Sequence, residues 1–513
     1  MARASTSPPA SSLPSQAAVD AVHASGAFSL PWVRALLGFP TLLGGLTLAF
    51  LSLFLPNKIA DPDIWWHLRN AQLQIASHTL LTHDVYSSTA AGTPWIDHEW
   101  LSEMPFYIVW HLGAEQGLRL LTFAVLALIC IGIFVLSYLY SANIRSAFVC
   151  TMVSVFFSTV SFGPRTLLFG WLCLVAELLL IQLYQRAPAS VATRYACMFP
   201  MLFLLWINLH GSWVIGIVVF VVWLGAGCVR CDSGALTSCR WSQQELKTLL
   251  FAGAASGGAL FINPYGWRLV AYPFDLAFRQ KLNIASVEEW RTLDFHSPRG
   301  KAFFVLLALV VLANLVRPRK WALYEVAFVA IGTYSALTYS RFLFLAALLA
   351  IPIFAKDFSH WITAQPSPNR PWLNGGILVA LCFMAISWQR SSAASVDPEY
   401  PTQALGYLKE FHPRARVFND YLWGGYLIWN TPQIPVFIDS RVDLFERNGT
   451  FKDYLDAIHI VNSLAILDKY NIGYVLFRRD TPLVYVLSHN QDWKVDYQDE
   501  TTVLLERISG DAR

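Results

Sequence analysis

Residues 60–110 read ADPDIWWHLRNAQLQIASHTLLTHDVYSSTAAGTPWIDHEWLSEMPFYIVW. This polar stretch lies between two apolar runs, roughly 35–55 and 119–140, each long enough to cross a bilayer. It is therefore a large hydrophilic loop suspended between membrane spans. Further apolar runs follow at roughly 146–163, 166–184, 197–209, 211–229, 248–262, 302–316, 322–338, 342–355 and 373–388. The pattern predicts about eleven spans, some short, as is tolerated where neighbours satisfy the backbone.

Composition agrees. Of 513 residues, 55% are apolar and 14% charged, against about 25% charged in a soluble domain. Mean hydropathy is +0.44. So few charges cannot cover a water-soluble globule of this length, which excludes a cytosolic enzyme, a disordered chain and a secreted disulfide scaffold. A net charge of only +3 carries no argument for nucleic acid as a partner. The eight cysteines lie mostly in apolar runs, where a thiol behaves as a small hydrophobe. Cys228, Cys231 and Cys239 lack a nearby fourth ligand and read as chance spacing rather than zinc.

The expected fold is a polytopic α-helical membrane protein with a small C-terminal α/β domain. Residues 1–33, rich in Ser, Ala and Pro, read as a disordered cytoplasmic tail. Residues 34–390 form the transmembrane domain, with a first outer loop at 56–118. Lysine and arginine in short loops, above all Arg317, Arg319 and Lys320, place the N-terminus inside. An odd number of spans then places residues 400–510 outside. In that region RARVFND, IPVFIDSR and IGYVLF read as strands, and WKVDYQDETTVLLER as a terminal strand pair, with helical patterns between them.

The chemistry-bearing residues crowd the outer side. Asp61 and Asp63 flank a proline just after the first span and lead into IWWHLRNAQLQIA, read as an amphipathic helix on the membrane surface. Two carboxylates so close raise each other's proton affinity. They can hold a divalent ion such as Mg or Mn, or supply a general base; equally, one of them caps the helix. Asp84, Asp97, His98, Glu99 and Glu103 continue the pattern among Trp65, Trp66, Tyr86, Trp95 and Trp100. Rings beside carboxylates suit a sugar, the rings stacking on C–H edges and the acids binding hydroxyls. An interfacial aromatic belt is the alternative. Arg165 and Arg341, at outer span ends, can hold a phosphate or snorkel. Arg69 lies on the amphipathic helix, and His210 at an outer turn. Glu288 and Glu289 are expected to reach the same face. Glu177 is an acid within a span and so a functional candidate. Asp439, Arg441 and Asp443 read as an ordinary loop with an Asp–Arg pair.

This arrangement resembles the GT-C superfamily of polyprenyl-phosphate-sugar-dependent glycosyltransferases, which includes protein O-mannosyltransferases, lipid A aminoarabinose transferases and oligosaccharyltransferases. The matching residues are DPDIWWHLRN (61–70) and, more loosely, GTPWIDHEWLSE (92–103). YLWGGYLIWN (421–430) and FIDSRVDLF (437–445) resemble outer domains of bacterial members. The resemblance implies that Asp61 or Asp63 is the catalytic base or a metal ligand. The chain departs from the mannosyltransferase pattern, with Asp-Pro-Asp in place of Asp-Glu and Asp97-His98-Glu99 in place of a Lys-Pro-Pro-type turn. The oligosaccharyltransferase Trp-Trp-Asp signature is absent from the C-terminal region.

The expected function is transfer of a sugar from a polyprenyl-phosphate donor to an extracytoplasmic glycan, lipid or protein acceptor, in a bacterial inner membrane. Trp65, Arg69, Asp84, Asp97, His98, Glu99, Arg165, His210 and Arg341 are the expected substrate-binding residues. A lipid or glycan transporter or flippase, and an envelope-assembly scaffold without catalysis, are the alternatives.

Overall fold

A computed structural model describes residues 37–238, 240–286, 290–362, 370–391, 393–411 and 415–508. The expected tail at 1–33, Cys239, Glu288 and Glu289 lie outside the described residues.

Helices occupy the predicted apolar runs. Five combine the length and hydropathy needed to cross a membrane: Trp100–Ser141, Ile144–Ser161, Leu167–Arg186, Ala189–Leu209 and Pro298–Val316. Shorter apolar helices cover Phe39–Phe54, Trp213–Ala226, Leu323–Thr338, Ser340–Leu349 and Pro371–Ser387. The helix Gln243–Ala259 fills the remaining run. Trp213–Ala226 has 14 residues and Phe39–Phe54 has 16. At 1.5 Å per residue these reach about 21–24 Å, short of a core about 30 Å thick. Length and hydropathy therefore support five spans directly, not the eleven expected.

Local sequence sets the helix ends. The Asn143 side chain accepts the amides of Arg145 and Ser146, and Ser242 and Glu245 form a capping box, each satisfying amides the helix leaves open. The longest helix, Trp100–Ser141, turns a corner at Gly113 and Ala114, where the backbone leaves helical geometry. A Cβ on Gly117 would sit 2.0 Å from the Val109 carbonyl oxygen, so this corner requires glycine.

Two hydrophobic cores result. One threads the helix bundle from Leu51 to Ala355 and includes Trp171, Trp206 and Trp223. The other joins the first outer loop to the C-terminal region. In it Ile59, Ile64, Trp65, Trp66 and Trp95 pack with Tyr400, Tyr426, Phe437 and Phe445. Phe106, before the corner in the long helix, belongs to this second core, whereas Val125, after it, belongs to the bundle. Just after the first helix, Lys58 and Ile59 pair in parallel with Ser395 and Val396, which follow the last apolar helix. The chain thus enters and leaves the bundle side by side.

One face of the helix Asp63–Ser77 is covered by protein. Ile64, Trp65, Trp66, His67, Leu68, Asn70, Ala71 and Gln74 are all buried, the tryptophans against the C-terminal region and the polar residues against Asp97 and Glu103.

The C-terminal sheet has four strands in the order Arg416–Asn419, Ile472–Arg478, Thr502–Arg507 and Trp493–Gln498. The first pair is parallel and the others antiparallel. The terminal strand pair matches expectation, but IPVFIDSR is not a strand of this sheet. Its backbone bonds run instead to the first outer loop: Val436 N–H donates to the Tyr86 carbonyl at 3.1 Å, and Ser88 N–H to the Val436 carbonyl at 2.7 Å. The β-like composition is real, but its pairing partner lies more than 300 residues earlier in the chain.

Candidate active site

The site begins with one helical face. In Asp63–Ser77, residues Asp63, His67, Asn70 and Gln74 recur at spacings of four, three and four, which places them on a single side. That face meets the segment Asp97–Glu103, and two acid clusters form along it.

At the N-terminal end lies the Asp61–Asp63 turn. Asp61 Oδ1 accepts the Asp63 amide at 3.0 Å, and Asp61 Oδ2 pairs with Arg165 Nε at 2.5 Å. Asp61 thus both starts the helix and binds the arginine expected to hold phosphate. That arginine sits on the Gly163–Thr166 turn and keeps 28% of its side chain exposed. Asp63 is half-buried. Trp66 Nε1 donates both to its Oδ1 at 3.2 Å and to Ser440 Oγ at 3.1 Å. Burial, then the neighbouring charges of Asp61 and Glu99, push the Asp63 carboxyl up to about 7, against the pull of Ser440 and Trp66.

Glu99 sits among three imidazoles. His210 Nε2 lies 3.0 Å from it, His67 Nε2 3.4 Å and His98 Nε2 3.6 Å. The Ser212 amide donates to His210 Nδ1 at 2.9 Å, so the His210 proton sits on Nε2 and points at Glu99. Burial alone would raise the Glu99 carboxyl; His98 and His210 outweigh it and hold it well below the usual range. His67, buried, is itself pushed down to about 4 and is neutral. The His98 ring stacks on Tyr272 at 4.4 Å, and Tyr272 hydrogen-bonds Asp443.

Further along the face, Asp97 and Glu103 are fully buried. Gln74 Nε2 donates to Asp97 at 2.8 Å, Asn70 Nδ2 to Glu103 at 3.0 Å, and His67 Nδ1 meets Glu103 at 2.8 Å. Burial raises Asp97 to about 6.

The remaining expected residues have other surroundings. Asp84 accepts from Ser87 at 2.7 Å and from Arg441 at 2.6 Å. Arg441 also binds Asp439 at 2.7 Å and lies over the rings of Tyr86 and Trp95, 5.0 and 4.9 Å from their centroids. The Asp–Arg pair expected in that segment is present, but as part of a buried ion cluster that joins two distant parts of the chain. Trp65 is 1% exposed and packs edge-on to Tyr426, Trp110 and Tyr400, which is core packing. Arg69 hydrogen-bonds Gln72. Arg341 lies over the Trp290 ring at 4.4 Å. Glu177 is fully buried in its helix, close to Gly216.

The structure thus groups Asp61, Asp63 and Arg165 at the start of the helical face and His98, Glu99 and His210 around one another, with Asp97 bound to Gln74. His67, Tyr272, Ser440 and Asp443 were missed as site residues. The polar spacing Asp63–His67–Asn70–Gln74 is a signal that could have found His67. Ser440 carries no such local signal; Asp443 follows a strand-like run and reads, by sequence, as part of an ordinary loop.

Among the described residues, no group of three or more His, Cys, Asp or Glu side chains is arranged to hold a metal ion. Asp61 and Asp63 supply two carboxylates, which suits an ion that completes its shell with phosphate oxygens and water.

No protein-family model matches the chain, and no curated protein matches it. Solved structures do. The oligosaccharyltransferase of Archaeoglobus fulgidus with a tethered acceptor peptide superposes with a TM-score of 0.55 at 13% identity, covering 88% of this chain and 69% of that one. The archaeal oligosaccharyltransferase AglB from the same organism, in complex with an inhibitory peptide and a dolichol-phosphate, gives 0.53 at 12%, covering 88% and 70%. The mycobacterial arabinofuranosyltransferase AftD gives 0.52 at 16%, covering 92% of this chain but 42% of AftD. At such identities the likeness establishes architecture: the chain has the GT-C fold of membrane glycosyltransferases.

Proposed function

We propose that this chain is a membrane glycosyltransferase that moves a sugar from a polyprenyl-phosphate donor to an acceptor on the outer face. One observation carries the reading. A half-buried carboxyl, Asp63, is raised to about 7 and stands beside an Asp61–Arg165 ion pair, just past the end of an apolar helix. A base is most effective when its proton affinity is near the working pH. Of the two acids left open by the sequence, Asp63 is the one poised in this way, whereas Asp61 is engaged by Arg165.

Asp63 accepts the proton of the acceptor hydroxyl as that oxygen attacks the anomeric carbon. The carbon–oxygen bond to the donor phosphate breaks, and the phosphate leaves with the electron pair. Arg165 balances its charge. Alternatively, Asp61 and Asp63 would together hold a divalent ion, which would supply positive charge to the same leaving group in place of the base role of Asp63. Glu99, charged among its histidines, and His98 line the acceptor side and bind hydroxyls. The fold neighbours support a lipid-linked donor, since one is described with a dolichol-phosphate. The lipid tail then remains in a bacterial inner membrane while residues 400–510 lie outside it.

Proteoliposomes with radiolabelled undecaprenyl-phosphate mannose and decaprenyl-phosphate arabinose test this reading. Donor turnover is expected in the wild-type chain and is lost in Asp63→Asn. Full turnover in both Asp61→Asn and Asp63→Asn removes the base. Lipid movement without sugar release, abolished by Glu177→Gln, establishes a transporter instead.

A further inference from the structure

Between the helices Gln243–Ala259 and Pro298–Val316 lies another amphipathic helix, Trp267–Arg279, of sequence WRLVAYPFDLAFR. Trp267, Ala271, Phe274 and Phe278 recur at spacings of four, three and four, which puts them on one side. Trp267 is 68% exposed, Phe274 49% and Phe278 75%. The far side is bound to protein. Leu269 and Tyr272 are buried, and the Tyr272 ring stacks on His98 at 4.4 Å. Asp275 is paired with Arg447 of the C-terminal region. The start of the helix is also fixed. Gly266 has a φ of +55°, a conformation that glycine adopts without strain. The Tyr265 hydroxyl donates to the Leu81 carbonyl of the first outer loop at 2.8 Å. A helix held this firmly on one side leaves three aromatic side chains without cover on the other, and such a patch marks a contact surface.

Two observations say that lipid covers it. The first is continuity. The bundle helix Gln243–Ala259 exposes Leu250 and Phe251, and Phe261 and Ile262 follow, exposed as well. Only the turn at residues 263–266 separates them from Trp267, so the apolar surface of the bundle runs on into the stripe. The second is charge. Asp275 is the single acid of the helix and is neutralised by Arg447. Arg268, Arg279 and Lys281 are exposed, which leaves the flanks positive and suited to lipid phosphates. An aromatic stripe bordered by arginine and lysine is the pattern of a helix lying in the headgroup layer of a bilayer.

We infer that Trp267–Arg279 is an interfacial anchor, which inserts Trp267, Phe274 and Phe278 into the leaflet next to the acid clusters. Through Tyr272 it holds His98 at a set height above the lipid. The inference needs only that the chain spans a bilayer, and it stands apart from the transfer reading.

The test uses the full chain in vesicles of phosphatidylethanolamine and phosphatidylglycerol. A diazirine-bearing phenylalanine analogue replaces Phe274 or Phe278, a change small enough to leave the fold intact. The same analogue at Tyr485, exposed on the C-terminal region, is the control. After illumination, mass spectrometry of the intact chain and denaturing gels read what each position touches. Phospholipid adducts are expected as the main product at 274 and at 278, and at background level at 485. Cross-links to a second copy of the chain, seen as a species of doubled mass, overturn the inference in favour of a self-association surface. Cross-links confined to the chain itself, or lipid adducts no more abundant than at 485, overturn it as well. Where the analogue is not accepted at either phenylalanine, position 267 takes their place with the same criteria. None of these readouts uses sugar transfer, so a chain that turns over no donor yet gives lipid adducts at 274 and 278 keeps the anchor and loses only the transfer reading.

Discussion

Two acid pairs of opposite character lie along the helix Asp63–Ser77. At its start, Asp61 and Asp63 face an arginine that keeps part of its side chain in solvent. Farther along, Asp97 and Glu103 are sealed from solvent and bound by Asn70 and Gln74. The residue types are the same, and the surroundings decide what each pair does. A carboxylate with access, a cation and a tuned proton affinity can do chemistry. A carboxylate satisfied on all sides by amides holds two segments together.

Substitutions can break this contrast. The largest expected effect is at Asp63. Asp63→Asn lowers donor turnover by about 10²–10⁴-fold, the range for a general base, with thermal stability retained. Because Asp63 acts when deprotonated and its carboxyl is raised from 3.8 to about 7, wild-type turnover rises with pH through about 7. Its residual activity in Asp63→Asn lacks that limb. A pH–rate profile of both proteins reads this directly.

Next comes the cluster that joins loop and C-terminal region. Arg441→Ala leaves Asp84 and Asp439 buried without their cation. Removing one partner of a buried pair costs about 3–5 kcal/mol, so thermal denaturation in detergent should show a marked loss of stability of the outer body. Arg165→Ala comes third. It removes the charge next to Asp61 and is expected to reduce turnover by about tenfold to a hundredfold, with folding preserved, as measured by initial rates over a donor titration.

The smallest effect is at Asp97. Its folded proton affinity is raised from 3.8 to about 6 by burial, so its contribution to stability is full below about 4 and lost as pH rises through about 6. Asp97→Asn should flatten the change in melting temperature across that window while turnover at pH 7 changes little. A large activity loss there would erase the distinction between the two pairs.

Much of the architecture was legible in the chain. Apolar runs located the helices, because a bilayer demands continuous apolar length whatever the neighbours. Asp61 and Asp63 were legible as candidates from their place after the first run, and Arg165 and His210 from their place at turns. That Trp65 and Trp66 pack against protein was not legible. An amphipathic pattern states that one face is buried, and does not say whether lipid or protein covers it. IPVFIDSR was read as a sheet strand because composition reports β tendency, not the partner. The asymmetry between Asp63 and Asp97 was illegible too, since solvent access and neighbouring charge are properties of the folded surroundings.

The sequence by itself determined a helical membrane chain with its acids gathered in one polar loop, because hydrophobic length and charge are additive along a chain. Only the tertiary structure decided which acid is accessible, which is bound by amides, and that Ser440 and Arg441 reach that loop. Those outcomes depend on contacts between segments hundreds of residues apart, and no local pattern encodes such a pairing.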